Sequence, residues 1–423
     1  MLIYISYQKC KMIVVFFWIT CLAFTMVPIQ SVEGTGSNTV YEILVRSFYD
    51  SNGDGIGDLH GLQQKLDYLN DGDPETDSDL EIGILWLMPI FPSVSYHGYN
   101  VNNYRELHPE YGTLDDFDSL IEAAHDRGIR IILDVPFNHT SNQHRWFRDA
   151  VQNPSTSPYR EYYHLIVGST PEGNDWHWVI NDAGQQVYYF GDFGSDMPDL
   201  NMSNEQVKDE VKQIAKFWLD RGADGFRLDA VKHVFAWSDN LSWEEVQKNN
   251  AWWREFSEYV YSVKSSAVIV GEVLDSQNMI HHFAWGLNGL VDLHFMHKVR
   301  EFAKSPYNGL IGWWKDYLRH ARENKANFEL FPYVSSHDEN PRLASFLKQY
   351  VPQRSEQAYR LAMYLLFTVG KYPILYYGDE IMQEGWKWNG DSPPGGDGSG
   401  IYDETLREPF LWYGERTGPG QTL

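Results

Sequence analysis

Only two cysteines occur in the 423 residues, Cys10 and Cys21. Both fall in the first segment, so no intramolecular disulfide can brace the remainder, and stability must come from a large core or from bound metal. Basic residues are scarce as well: 34 Lys and Arg stand against 58 Asp and Glu, a formal net charge of -24. That field repels phosphate backbones and anionic lipid surfaces, which excludes nucleic acid as the expected partner and gives no reason to expect a membrane one. Long apolar runs are missing except Met12 to Val27, which at about 15 residues falls short of the roughly 20 needed to span a bilayer. There is no internal repeat, and biased composition is confined to the short Gly/Pro/Ser segment Ser392 to Gly400.

What is present begins with that single run. Lys9 and Lys11 precede it and the polar stretch Gln30 to Asn38 follows, the plan of a signal peptide over residues 1–34, which implies a secreted, extracellular protein. Hydrophobic residues make up 43% of the chain and aromatics 15%, enough to fill one large core. A monomer is expected.

Eight short apolar or β-branched runs recur along the chain: Tyr41 to Phe48, Ile82 to Pro89, Ile129 to Val135, Gly225 to Leu228, Val268 to Val273, Leu290 to Phe295, Phe331 to Ser335 and Pro373 to Tyr377. Amphipathic stretches of helical length lie between many of them, at Gly61 to Tyr68, Leu114 to Arg127, Asn204 to Arg221, Trp243 to Lys264 and Arg354 to Thr368. Strand and helix in alternation give parallel βα units, and eight units give an α/β fold of the closed (β/α)8 barrel type. The long aromatic and Gly-rich stretch between the third and fourth runs reads as a small inserted domain. The expected organisation is therefore signal peptide 1–34, first barrel part 35–139, insert 140–201 and second barrel part 202–423. No helical pattern follows the eighth run, so the last barrel helix is expected to be missing, leaving an apolar strip exposed on the eighth and first strands.

Active sites of such barrels lie at the C-terminal ends of the strands, and those ends are acidic here. The fourth run closes on Arg227 and Asp229, the fifth on Glu272, and the seventh on His337 and Asp338; the third ends in Asp134 and continues to Asn138 and His139. Glycoside hydrolysis needs one carboxylate to attack the anomeric carbon and one carboxylic acid to protonate the leaving oxygen, about 5 Å apart in retaining enzymes. Arg227 lies two positions before Asp229, on the same face of the strand. A cation there favours an ionised Asp229, while Glu272 among like charges should hold its proton. The non-catalytic reading is an acidic surface or a barrel that binds glucan without cleaving it.

The motifs Asp134-Val-Pro-Phe-Asn138-His139, Gly225-Phe-Arg-Leu-Asp-Ala-Val-Lys-His233, Gly271-Glu272-Val and Ser336-His337-Asp338 resemble the four short motifs of the α-amylase family, glycoside hydrolase family 13. Met197-Pro-Asp-Leu-Asn201 and Tyr96-His-Gly-Tyr99 resemble two further segments, the former in a version found between endo-amylases and the oligo-1,6-glucosidase or neopullulanase types. The resemblance covers roughly residues 40 to 423. It implies a retaining mechanism with Asp229 as nucleophile, Glu272 as acid/base and Asp338 holding sugar hydroxyls. It also implies that Tyr96 stacks on the sugar, and that His97, His139, Arg227 and His337 bind it or order the carboxylates. Lys232 and His233 resemble the pair that contacts the sugar beyond the scissile bond in enzymes acting on α-1,4-glucans. The substrate implied is starch or a maltooligosaccharide, with exo-acting α-glucosidase or transglycosylase action as the alternative. Asn100 and Asn103 depart from the Asp common in relatives, and members usually continue into an eighth helix and a C-terminal β-sandwich.

Asp50, Asn52, Asp54 and Asp58 place oxygen side chains at alternate positions of a Gly-rich loop, as a calcium loop does. Within the family such a loop implies a further ligand from the Ile56 carbonyl. The resemblance also implies a second calcium between barrel and insert, on Asn138, Asp199 and the backbone of His233.

Overall fold

The computed structural model describes residues 37–238, 240–387 and 403–412. The expected signal peptide lies outside these residues. No helix among the described residues is long and apolar enough to cross a membrane.

The strands in chain order are β1 (Val40–Ile43), β2 (Ile84–Leu87), β3 (Arg130–Val135), β4 (Leu165–Val167), β5 (Trp176–Ile180), β6 (Gln186–Phe190), β7 (Gly225–Leu228), β8 (Val268–Gly271), β9 (Gly289–Asp292), β10 (Glu329–Pro332) and β11 (Ile374–Tyr376). Eight of them form one sheet in the order β10-β9-β8-β7-β3-β2-β1-β11, with every pair parallel. A parallel bridge between Tyr333 and Ile374 joins the two ends, which closes the (β/α)8 barrel. All eight runs supply a strand. The sixth is shorter than its apolar pattern, because Asp292 caps a helix that begins at Leu293 by accepting the His294 N–H at 3.0 Å.

Period-two alternation decides what faces the barrel axis. Val40, Ile84, Trp86, Ile132, Val270, Phe331 and Ile374 pack together inside, whereas Tyr41, Ile43, Leu85, Leu87, Ile131 and Leu133 face the surrounding helices. The inward positions nearer the strand ends are Glu42, Trp86, Asp134 and Arg227, in register as Glu42 with Trp86 and Asp134 with Arg227. All four are buried. The barrel thus changes from apolar to charged one layer below its mouth. Gly225 opens β7 at φ 144°, and a Cβ there would lie 1.8 Å from the Val268 carbonyl oxygen, so only glycine lets β7 and β8 come this close.

Local chemistry sets the helices of the outer layer. Leu114–His125 starts in a capping box between Thr113 and Asp116 and buries Phe117, Leu120, Ile121 and Ala124 at helical spacing. Trp243–Val263 begins the same way with Ser242 and Glu245. Arg145–Gln152, Gln277–Phe283, Leu293–Lys304, Leu310–Asn324 and Leu343–Tyr350 are further helices that the apolar pattern had not indicated. Between β3 and β7 the chain carries its own antiparallel sheet, β4-β6-β5, and its return limb pairs back onto the barrel through the His139–Asp199 bridge.

The apolar strip expected on the eighth and first strands is not exposed. The outward-facing Tyr41, Ile43 and Leu375 are buried, and residues 403–412 fold back over the loop after β1. The Phe410 N–H donates to the Ser47 carbonyl at 2.7 Å, and Phe410 and Trp412 pack edge-on against Phe48 at 5.6 and 5.1 Å. Truncating Phe410 to alanine should therefore cost about 3 to 5 kcal/mol of stability. Chemical denaturation measures this, and a loss below about 0.5 kcal/mol would mean the segment is not part of the core.

Candidate active site

The buried Arg227 guanidinium organises the mouth of the barrel. One terminal nitrogen donates to Asp134 Oδ1 at 2.9 Å and to Asp229 Oδ1 at 2.7 Å, while the other lies 2.6 Å from Glu272 Oε1. Strand pairing fixes these positions, since the Asp229 N–H donates to the Val135 carbonyl and the Glu272 N–H to the Leu228 carbonyl. Asp134 is completed by Trp86 Nε1 at 3.1 Å and the Tyr99 hydroxyl at 3.0 Å, both donating to Oδ2.

A second cation sits beside the first. His337 Nδ1 bonds Glu42, and its Nε2 lies 2.9 Å from Asp338 and 2.8 Å from the Tyr99 hydroxyl. Burial alone would lower its pKa, but Asp338 and Glu42 outweigh burial and raise it to about 10, so the ring is an imidazolium at neutral pH. Asp338 is also held by Arg407 Nη2 at 3.0 Å, and that guanidinium pairs with Asp403 at 2.7 Å. Arg407 lies 69 positions beyond Asp338, and nothing in its local sequence marked it for the site.

The carboxylates consequently differ. Burial raises Asp229, and Arg227 opposes that rise. Burial, followed by the charges of Asp229 and Asp338, lifts Glu272 to about 7 despite Arg227. Asp338 is 40% exposed toward the cleft; burial works against its charge, yet His337 and Arg407 hold it well below the usual carboxylate range. Burial also raises Asp134. His139 is lowered to about 4 by burial and is neutral, with Nε2 on the Tyr99 carbonyl at 3.1 Å.

Above this layer opens a cleft of about 280 Å³, lined by Asp229, Glu272 and Asp338 with His97, Tyr99, His139, Lys232 and His233. Phe193, Met197, Ala230, Leu274, Lys387, Asp403 and Arg407 complete its wall. Arg227 and His337 lie beneath. Lys232 Nζ is 3.2 Å from Asp275, and His233 Nδ1 is 2.5 Å from Asp192 on the insert. Tyr96 is buried with its hydroxyl on Asp403 and 3.4 Å from Arg407, one shell behind the cleft surface. Asn100 accepts from Ser93 Oγ at 2.6 Å and donates to Asp196 at 2.9 Å, tying the loop after β2 to the insert.

The expected metal ligands lie in two other places. After β1, Asp50 accepts the N–H groups of Asn52, Gly53 and Gly55, Asp54 accepts that of Ile56, and Asp58 accepts those of Ser51 and Gly61. Asp50 and Asp58 are buried, and neither forms an ion pair with a basic residue among the described residues. Between barrel and insert, both polar atoms of the Asn138 side chain are buried without a hydrogen-bond partner. Beside it Asp199 is raised by burial and by Asp192; the Asn138 amide is near enough to favour the Asp199 charge but lies outside hydrogen-bonding geometry. Among the described residues no three His, Cys, Asp or Glu side chains converge on one point, so any cation here must also draw on Asn and carbonyl oxygens. That donor set is the one calcium takes.

His337 supplies a direct check. Its folded-state pKa is raised, so its stabilising contribution is complete below the unfolded value of about 6.5 and is lost as pH climbs through about 10. Nitrogen-15 NMR should show both ring nitrogens protonated at pH 8, and a neutral ring at that pH would refute the assignment.

The family description "Alpha amylase, catalytic domain" fits residues 42–418. Alpha-amylase 3 of Dictyoglomus thermophilum is 39% identical over 383 residues, 90% of this chain and 68% of that protein. The 4-alpha-glucanotransferase of Thermotoga maritima is 32% identical over 398 residues, 90% of this chain and 78% of that one. The crystal structure of the alpha-amylase from H. orenii superposes with a TM-score of 0.74 at 39% identity, covering 89% of this chain and 72% of that one. With its motifs at the strand ends of a closed barrel and its family match spanning nearly the whole described structure, the chain belongs to the alpha-amylase family and is a glycosidase of that family.

Proposed function

We propose that the protein is a secreted retaining hydrolase of α-1,4-glucosidic bonds in starch or maltooligosaccharides. The observation that carries this reading is the Arg227 guanidinium shared by Asp229 and Glu272 on the floor of the cleft. One planar fork reaching two carboxylates keeps them a short distance apart across the floor of the cleft, and a closely spaced pair flanking the scissile bond is the arrangement a double displacement uses.

In the first step an Asp229 oxygen attacks the anomeric carbon as the bond to the leaving oxygen breaks, and the Glu272 proton passes to that oxygen. Water then attacks the same carbon, giving its proton to Glu272 and releasing Asp229. Glu272, at about 7, is suited to both halves, since an acid/base works best with a pKa near the operating pH. Asp338 stays ionised, so it can accept sugar hydroxyls and lower the energy of the cationic transition state. Lys232 and His233 stand further along the cleft, where the leaving portion of the chain would lie. Phe193, Met197 and Leu274 in the same wall favour a second reading, in which a sugar acceptor competes with water and the enzyme transfers as well as hydrolyses.

Calcium is part of the same proposal. Asp50, Asn52, Asp54, Asp58 and the Ile56 carbonyl would hold one ion, and Asn138, Asp199 and the His233 carbonyl a second. The unpartnered Asn138 amide supports the second site. Either ion would fix loops around the cleft and take no part in bond breaking.

Reducing-sugar release from soluble starch tests the activity. Asp229→Asn should abolish it, and Glu272→Gln should lower kcat/KM by about 10² to 10⁴ and remove an alkaline limb near pH 7. Full activity in Asp229→Asn would sink the assignment. Maltotriose digests separate the two readings, since products longer than the substrate mean transfer. For the metal, chelation should lower the thermal midpoint and added calcium restore it, with about 2.7 kcal/mol at stake when free calcium is a hundredfold above Kd. A midpoint indifferent to both would remove calcium from the account.

A further inference from the structure

Beside the cleft lies a second recess of about 250 Å³, between the insert, the loop after β7 and the start of the Trp243–Val263 helix. We propose that this recess is an auxiliary glucan-binding site built on Trp237, taking the portion of an α-glucan chain that runs out of the catalytic cleft. The proposal rests on the glucan-hydrolase reading above and extends it to the length of substrate held.

Trp237 is 50% exposed, although a tryptophan normally hides most of its ring. It is not loose. Its ring stacks near-parallel on Trp176 at 6.4 Å and meets Phe190 and His164 edge-on at 4.9 and 4.7 Å. Such a fixed, flat, half-wet ring offers an apolar face to the C–H face of a sugar. The aromatic surface continues outward. β5 alternation puts Trp178 on the same side of the insert sheet as Trp176, opposite Tyr188 of β6, and Trp178 is 58% exposed.

The remaining wall supplies groups that bind hydroxyls. Ser203, Glu244 and Lys248 line the recess, and the last two form an ion pair at 2.8 Å. The pair cancels its own charge, and Glu245 on the same wall is turned onto the Ser242 N–H and hydroxyl, so this start of the helix presents donors and acceptors suited to a polyhydroxyl ligand. His233 lines both this recess and the catalytic cleft. The two openings are therefore neighbours on either side of one residue, and in the proposed site a single glucan chain reaches from one to the other. Asp199, also on the recess wall, belongs to the calcium proposal and is not needed here.

The test measures maltooligosaccharide binding calorimetrically in the Asp229→Asn protein, which does not consume the ligand. Trp237→Ala should weaken maltoheptaose binding about five- to tenfold, with Trp237→Tyr restoring most of it, while maltotriose, short enough to stay in the cleft, should change less than about twofold. Because half of the Trp237 ring packs on Trp176, Phe190 and His164, an intact fold is checked by circular dichroism, which should match the parent, and by the maltotriose affinity of the cleft. Equal maltoheptaose affinity in all variants would overturn the site, as would equal losses for both sugars. If Trp237→Ala instead altered the sedimentation coefficient, the ring would serve contact between chains and the proposal would fall. These results leave the hydrolase reading standing, whereas a protein that neither binds maltoheptaose nor releases sugar from starch would overturn both.

Discussion

Arg227 is a buried cation that three carboxylates share, and the mouth of the barrel is arranged around it. A guanidinium without partners at that depth would cost several kcal/mol in lost hydration. Asp134 repays it from the neighbouring strand, and Asp229 and Glu272 repay it from the reacting layer. The same fork that makes the burial tolerable also fixes the spacing of the two groups that would do the chemistry. Stability and function therefore depend on one set of contacts, and removing either side leaves the other as an unpaired buried charge.

The layer carries more acids than cations. Arg227, His337 and Arg407 face Glu42, Asp134, Asp229, Glu272, Asp338 and Asp403. Where negative charge exceeds positive in a low-dielectric site, one acid keeps its proton. Burial raises Asp134, Asp229 and Glu272 alike, and Glu272, which also faces the charges of Asp229 and Asp338, is lifted to about 7. Asp338 is the opposite case, with His337 on one oxygen and Arg407 on the other. Two carboxylates of one cleft are thus driven to opposite protonation states by their neighbours alone.

Much of this was legible in the sequence. The eight runs stand out because a parallel strand is buried on both faces, and their acidic ends mark the mouth of the barrel. Arg227 beside Asp229 and His337 beside Asp338 are near neighbours in the chain, so their pairing could be read directly. Glu42 was missed, although an acid inside the apolar run Tyr41 to Phe48 was a usable signal: alternation turns it inward. Arg407 had no such signal, since its contact with Asp338 exists only because residues 403–412 fold back across the barrel. The helix Leu293–Lys304 was missed although Asp292 caps it, because it starts directly after β9 inside the apolar run Leu290 to Phe295, which reads as a strand. The covering of the first and eighth strands was misjudged for the same reason as Arg407: aromatic packing of Phe410 and Trp412 on Phe48 is a long-range contact that periodicity does not encode.

The central claim is that the shared guanidinium leaves Asp229 as the attacking group and Glu272 as the proton carrier. The most direct measurement is mass spectrometry of the protein after reaction with a slow fluorinated α-glucosyl fluoride, quenched in acid and digested. The account predicts one added sugar on the peptide that contains Asp229, with none in Asp229→Asn. A sugar on the Glu272 peptide, or turnover of the reagent with no covalent adduct and inverted product, would contradict it.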